Sequence, residues 1–311
     1  MKWSAALVAV SLPVICGPTA AGKSALALQV AQSCALGIVS ADSRQVYRGF
    51  HIGTAKPSAD ERTLVPHEGI DVASPSERYS AAKWMASFEA WRAALAAAGY
   101  RPLVVGGTGL YLRTLGEPLF EEPALDPQAR AALATEMQSL TLDELRQRCR
   151  ILDPSRAHLG RTQLLRAIEV AQLTGRPISA LHREQAREPR FAPRFLLVDP
   201  GPLLQARIVR RVDAMIAAGW VDEVRALMQT VPADAPSWNA TGYDAIRQVV
   251  GGALSLARAR ELIIVATRQY AKRQRTWFRH QLPPERVVHV NSAAPDALER
   301  ALAWLRKESL E

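Results

Sequence analysis

At 311 residues the chain is long enough for one large domain or two modest ones, and its 48% hydrophobic and 22% charged composition excludes a disordered or fibrous protein. Against 30 Asp+Glu stand 39 Lys+Arg, a net charge of +9 that favours an anionic partner. Three cysteines, odd in number and without CxxC or Cys/His spacing, argue against a disulfide framework or a zinc site and for a reducing cytoplasm.

Met1-Lys2 and the apolar run Ala5 to Cys16 have the outline of a secretory leader. The run feeds without a break into Gly17-Pro18-Thr19-Ala20-Ala21-Gly22-Lys23-Ser24, and cleavage there would destroy a far more specific pattern, so the segment is expected to stay. No other window approaches about 18 uninterrupted apolar residues, and no membrane span is expected. Leu12 to Cys16 predicts a buried strand and Ser24 to Cys34 a helix behind it. Ile38 to Ala41 predicts a second strand, Ala81 to Ala98 a helix, and Leu103 to Val105 a third strand ending at Gly106-Gly107-Thr108-Gly109. This alternation predicts an α/β core with a parallel sheet flanked by helices.

From Glu121 to Arg194 the pattern turns helical, with Pro118, Pro123 and Pro127 at its entrance and Pro189 and Pro193 at its exit. Residues 121–194 are therefore expected to be an all-helical insertion into a core made of 1–120 and 195–311. The core resumes with a strand at Phe195 to Val198, helices from Pro202, a long helix over Ser255 to His280, a strand at Val287 to Val290 and a closing helix over Pro295 to Lys307.

Gly17-x4-Gly22-Lys23-Ser24 between a strand and a helix is a phosphate-binding P-loop in its required context. Backbone N–H groups and the helix N-terminus face a polyphosphate, Lys23 adds a point charge, and the Ser24 hydroxyl is placed for Mg2+. The loop binds phosphates without saying whose. Asp42 follows the second strand and Thr108 the third, and in a doubly wound sheet these strand ends share one crevice. Asp42 reads either as a general base or metal ligand, or as a helix N-cap. The Gly106–Gly109 turn reads either as part of that crevice or as a tight connection.

Arg268, Lys272, Arg275 and Arg279 are spaced 4, 3 and 4 and share one helical stripe. Seven basic residues against Glu261 over 256–280 favour a track for a nucleic-acid backbone over a merely solvated face. Tyr270 and Trp277 are expected to pack the helix onto the core. Arg207, Arg210 and Arg211 open another helix and either reach the phosphates or lie on the surface. His51, His67 and His158 have no metal-ligand spacing.

Taken together, GPTAAGKS at 17–24, ADSRQVYRGFHIGTAKP at 41–57, PHEGIDVASPSERYSAAKW at 66–84, VVGGTGLYLRTL at 104–115, QLLRAIEV at 163–170, ATGYDAIRQ and ATRQYAKRQRTWFR resemble the bacterial tRNA dimethylallyltransferases over nearly the whole chain. The resemblance implies that the P-loop (Gly17, Pro18, Thr19, Ala20, Ala21, Gly22, Lys23, Ser24) holds dimethylallyl diphosphate, with Mg2+ at Ser24. The dimethylallyl group would pass to the exocyclic amine of the adenosine 3′ of the anticodon, releasing pyrophosphate. It further implies that Lys23, Asp42, Thr108 and Arg211 are catalytic, and that Asp42, Ser43, Arg44 and Gln45 meet the target nucleotide. Gln163, Leu164, Leu165, Arg166, Ala167, Arg268, Lys272, Arg273, Gln274, Arg275 and Arg279 would contact tRNA, and the helical insertion the anticodon stem. The chain is expected to act as a monomer in the cytoplasm, away from membranes. One departure from the family is the short stretch Ala157 to Thr162 before Gln163, where relatives carry a longer loop. A P-loop nucleoside or nucleotide kinase is the competing class, and it leaves the basic helix and the large insertion without a task; an RNA-binding protein with a vestigial P-loop leaves Lys23, Ser24 and Asp42 without one.

Overall fold

The structure, a computed structural model, describes residues 10–117, 125–184 and 190–306. These residues divide into two units, one of 10–117 and 190–306 and one of 125–184. In chain order the first unit contains β1 (Val10–Cys16), α1 (Lys23–Ser33), β2 (Leu36–Ala41), α2 (Ala59–Leu64), β3 (His67–Glu68), α3 (Ala81–Ala97), β4 (Arg101–Gly106) and α4 (Gly109–Gly116). The second unit follows with α5 (Pro127–Gln138), α6 (Leu142–Leu152), α7 (Arg161–Thr174) and α8 (Ile178–Glu184). The first then resumes with β5 (Phe191–Val198), α9 (Leu204–Ala217), α10 (Trp220–Leu227), α11 (Tyr243–Val250), α12 (Leu256–Gln281), β6 (Val287–Val290) and α13 (Ala297–Arg306).

The strands of the first unit form one parallel sheet in the order β3-β2-β4-β1-β5-β6. A parallel sheet is covered on both faces, and its inner strands accordingly read as unbroken apolar runs: all six residues of β2 are buried, as are Leu12 to Cys16. Side chains alternate across the sheet. Ile15, Ile38, Leu103, Val105, Leu196 and Val198 meet α1 and α13 through Leu26, Val30, Trp304 and Leu305. On the opposite face Trp84 of α3 stacks on Phe88 and Tyr111, and its indole N–H donates to the Ser40 carbonyl at 2.9 Å, locking α3 to β2. Because β4 lies between β2 and β1, the carboxyl ends of these three strands sit side by side.

The return strand begins at Phe191, four residues before the expected Phe195, so the expected insertion boundary at Arg194 falls inside β5. Pro193 misleads there because proline usually ends a strand. It is tolerated because β6 joins β5 only from Phe195 onward, leaving one side of the strand without a ladder. Pro13 and Pro102 obey the same rule, since β1 and β4 pair with each other only from Val14 and Val104. Pro118, Pro123 and Pro189, the start of the N-terminal apolar run, and Lys307 lie outside the described residues.

The second unit is built on its own core of Leu133, Leu145, Leu164, Ile168 and Leu181, with no strand among its described residues. Thr141 and Glu144 close a capping box at the start of α6, and the buried Asp153 accepts from the Ser155 hydroxyl at 2.8 Å and the Ser179 N–H at 2.9 Å, tying the turn after α6 to α8. Two of the expected RNA-contacting residues fall in this core: Leu164 and Ala167 are 0% and 1% exposed. Their spacing puts them on the inner face of α7, with Leu165 packed partly against the same cluster. Gln163 is exposed and its side chain accepts from the Gly160 N–H, while Arg166 is ion-paired with Glu169.

Candidate active site

The phosphate loop turns sharply between β1 and α1. Gly22 occupies the left-handed region at φ 88° and Ala20 at φ 61°, a conformation that costs a residue with a Cβ about 1 kcal/mol or more. α1 starts at Lys23 without an acidic residue in its first turn, so the positive end of its dipole is left for a ligand. The loop and the ends of β2 and β4 enclose a cavity of about 390 Å3 whose walls include Lys23, Ser24, Asp42, Arg211, Tyr270 and Gln274. Its lining also includes the apolar side chains of Leu28, Ile38, Ile70 and Val105.

Lys23 has no carboxylate in contact among the described residues. Burial, and then the neighbouring Arg211 guanidinium, lower its ammonium pKa to about 8, against a smaller opposing pull from Asp42. Arg211, on α9, is likewise pushed down by burial and held up by Asp42. Among the charged groups bordering the cavity, Lys23, Lys56 and Arg211 outnumber Asp42 and Glu61, an excess of positive charge that an incoming diphosphate would neutralise.

Asp42 does not cap a helix, because residues 43–46 form a turn. One carboxylate oxygen accepts from the Arg44 N–H at 2.9 Å, and the other has no hydrogen-bond partner among the described residues. The Thr108 hydroxyl accepts from the Ser43 N–H at 2.9 Å, while the Thr108 N–H donates to the Ala41 carbonyl at 3.2 Å. Thr108 therefore ties the strand ends together and holds the Asp42 turn in place. Gln45 donates to the carbonyls of Thr54 and Ala55 and accepts from the Ser40 hydroxyl, so its amide braces the loop. Lys56, whose side chain is 1% exposed, pairs with Asp71 at 2.5 Å and is already neutralised.

The three arginines of α9 separate. Arg211 lines the cavity, Arg210 is exposed, and Arg207 lies behind the phosphate loop, donating to the Ala21 carbonyl at 3.1 Å and the Ser292 hydroxyl at 2.9 Å. Ser24 is the residue of the loop suited to Mg2+. Its hydroxyl borders the cavity with no partner among the described residues, and no cluster of three or more His, Cys, Asp or Glu accompanies it there. That set fits Mg2+ in the manner typical of phosphate substrates, in which a protein hydroxyl and phosphate oxygens share the ion.

Along α12 the stripe is shorter than its spacing suggests. Arg268, Lys272 and Arg279 are exposed without a carboxylate partner among the described residues, and Arg273 stacks over the Tyr270 ring. Arg275 is withdrawn from it: its guanidinium grips Asp199 at 2.7 and 2.5 Å and the Gly201 carbonyl at 2.9 Å. Asp199 follows β5 directly, a register that helical periodicity within α12 does not reveal. Gln274 is buried, which removes it from an RNA-facing surface. The aromatic residues diverge as well. Trp277 meets Phe278 edge-on, whereas Tyr270 lines the cavity, where burial and then Asp42 push its phenol up to about 12. Tyr270 is thus a site residue that its helical spacing from Trp277 conceals. A second hollow of about 390 Å3 adjoins Thr108 and is bordered by Ser43, Arg44, Arg273 and Trp277.

Among the described residues no helix is long and apolar enough to cross a membrane. Residues 45–281 match the family described as IPP transferase, and residues 10–65 that described as isopentenyl transferase. The tRNA dimethylallyltransferase of Symbiobacterium thermophilum is 42% identical over 93% of this chain and 92% of its own, and that of Albidiferax ferrireducens 40% identical over 94% and 89%. Among solved structures, the tRNA isopentenylpyrophosphate transferase of Staphylococcus epidermidis superimposes with a TM-score of 0.68 at 29% identity, covering 96% of this chain and 99% of that one. A eukaryotic dimethylallyltransferase acting on tRNA gives 0.80 at 26% identity, over 96% and 79%. With a P-loop, an Asp42 turn and a Thr108 turn brought to three adjacent strand ends, and with a family match over more than half its length, the chain belongs to the IPP transferase family, among the tRNA dimethylallyltransferases.

Proposed function

We propose that the chain transfers a dimethylallyl group from dimethylallyl diphosphate to the exocyclic amine of the adenosine on the 3′ side of the tRNA anticodon. The observation that carries this reading is the cavity itself: a phosphate loop whose Lys23 and a carboxylate oxygen of Asp42 have no partner among the described residues, and a lining that also presents apolar side chains to a prenyl group. The diphosphate lies on the loop N–H groups, Lys23 and Arg211. As the allylic C–O bond breaks, its electron pair leaves with the diphosphate oxygen, and these cations stabilise the charge that develops. The amine nitrogen bonds to the allylic carbon and gives its proton to Asp42, yielding N-alkylated adenosine and pyrophosphate. Mg2+ held at Ser24 with the diphosphate oxygens would supply further charge neutralisation of the leaving group.

A stacked base is out of reach of such a cavity, so the target adenosine flips out of the anticodon loop to meet Asp42, Ser43 and Arg44. Residues 125–184 contact the anticodon stem, and the cytoplasm, where tRNA resides, is the site of action. Incubating the protein and Mg2+ with tRNA and labelled dimethylallyl diphosphate should transfer label to RNA with stoichiometric pyrophosphate. ATP in place of the prenyl donor should be left intact, and ADP formation dependent on a nucleoside would favour a kinase instead.

The free cations of α12 lead to a quantitative expectation. Each phosphate contact contributes about 0.7–0.9 to the slope of log affinity against log salt, so replacing Arg268, Lys272 and Arg279 together with Gln should flatten the slope for tRNA by about two to three units. Arg275→Gln should leave that slope in place, because its guanidinium is committed to Asp199. Fluorescence titrations of labelled tRNA across a salt series measure both, and a slope unchanged in the triple variant would return this face to solvent.

A further inference from the structure

Gln274 stands apart within its basic segment. Its neighbours Arg273 and Arg275 face outward or grip Asp199, whereas Gln274 is only 7% exposed and borders the cavity. The amide oxygen accepts from the Thr19 N–H at 2.8 Å, and the amide nitrogen donates to the Gly107 carbonyl at 2.9 Å. Thr19 belongs to the phosphate loop, and Gly107 to the turn that carries Thr108. That turn runs against the amide so closely that a Cβ on Gly107 would come within 2.5 Å of it. A neutral group that accepts on one atom and donates on another suits this place: Lys and Arg cannot accept, and a carboxylate cannot donate. The Thr19 N–H is consumed by this bond, so it is not one of the loop donors that face a diphosphate.

We propose that Gln274 is a positioning residue of the diphosphate site: bonded to Thr19 and Gly107, it sets the phosphate loop against the turn that carries Thr108, and it does not read RNA. The inference rests on the diphosphate reading of the cavity. Gln274→Met keeps the length and apolar fit of the side chain and removes both bonds. In the ligand-free variant, hydrogen exchange of the segment spanning Thr19 should accelerate about tenfold or more, and affinity for inorganic pyrophosphate should fall by a similar factor, the loss expected for one or two buried hydrogen bonds. Affinity for tRNA should stay within about twofold of wild type.

Gln274→Glu supplies a readout that packing alone would not move. Its protonated carboxyl can accept from Thr19 and donate to Gly107, while the ionised form sets an oxygen against the Gly107 carbonyl. The ratio of variant to wild-type pyrophosphate affinity should therefore rise as pH is lowered from 8 to 5. Lys23, Asp42, Lys56, Glu61, His67, Arg211 and Tyr270 border the same cavity, with Arg44 and Arg273 across the adjoining hollow, and are common to both proteins, so the ratio isolates the new carboxyl. A pH-independent ratio, or unchanged loop exchange alongside weakened tRNA binding, would overturn the proposal. Should wild type fail to bind pyrophosphate, the diphosphate reading falls, while the exchange experiment still decides whether Gln274 sets the loop. If Gln274→Met does not fold, the pH response of Gln274→Glu decides alone.

Discussion

Asp42→Ala is expected to slow single-turnover dimethylallyl transfer on the order of 10²–10⁴-fold, the range over which a positioned general base acts, while tRNA affinity changes far less. One oxygen of Asp42 is occupied by the Arg44 N–H, which orients the carboxyl, and the other is left to take a proton from the amine. Asp42→Asn preserves the orienting bond and abolishes the base, so it should lose nearly as much as the alanine variant. Rapid-quench measurement with enzyme in excess over tRNA separates the chemical step from product release. A loss below about tenfold for both variants would reduce Asp42 to a turn residue.

Lys23→Met should cost about 10²–10³-fold in the same assay, comparable to removing one donor from a preorganised anion site, and it should weaken diphosphate binding as well. The pH dependence has a definite sign. Lys23 loses its proton near pH 8 in the free enzyme, and an anion bound beside it raises that value, since the charged form is the one bound. Pyrophosphate affinity is therefore full below pH 8 and falls as pH rises through it. Dividing wild-type affinity by that of Lys23→Met at each pH removes the ligand's own ionisation. Calorimetry should show the quotient declining between about pH 7.5 and 9. A flat quotient would place the Lys23 ammonium outside the diphosphate shell.

The legibility of the site follows the physics of local signals. The P-loop, Asp42 and Thr108 are readable because each follows a buried apolar run directly, and strand ends in a parallel sheet have few places to go. α2 and β3 escape notice because they are short, although Ser58-x-x-Glu61 is a capping-box signature that marks the start of α2. Pairings across long separations leave no local trace. The Asp199 partner of Arg275 and the Thr19 and Gly107 partners of Gln274 lie 76, 255 and 167 residues away, too far for any spacing within the basic segment to show. Leu164 and Ala167 are the reverse case: expected at RNA from the motif alone, they lie in the core of the helical unit.

The placement of β1 between β4 and β5 bears on the order in which the molecule can be made. During synthesis the chain presents β1 to β4 first, and one flank of β1 stays an open edge until β5 emerges about 180 residues after it. Such non-local closure is slow relative to helix formation, and the 125–184 unit, with its own core, can consolidate while the ribosome finishes the rest. The phosphate loop is secured later still, because Arg207, Gln274 and Ser292, which grip it from behind and beside, all follow β5 in the chain. A nascent or prematurely terminated chain can therefore carry every residue of the Gly17 to Ser24 motif while lacking the bonds that hold the loop from behind and beside.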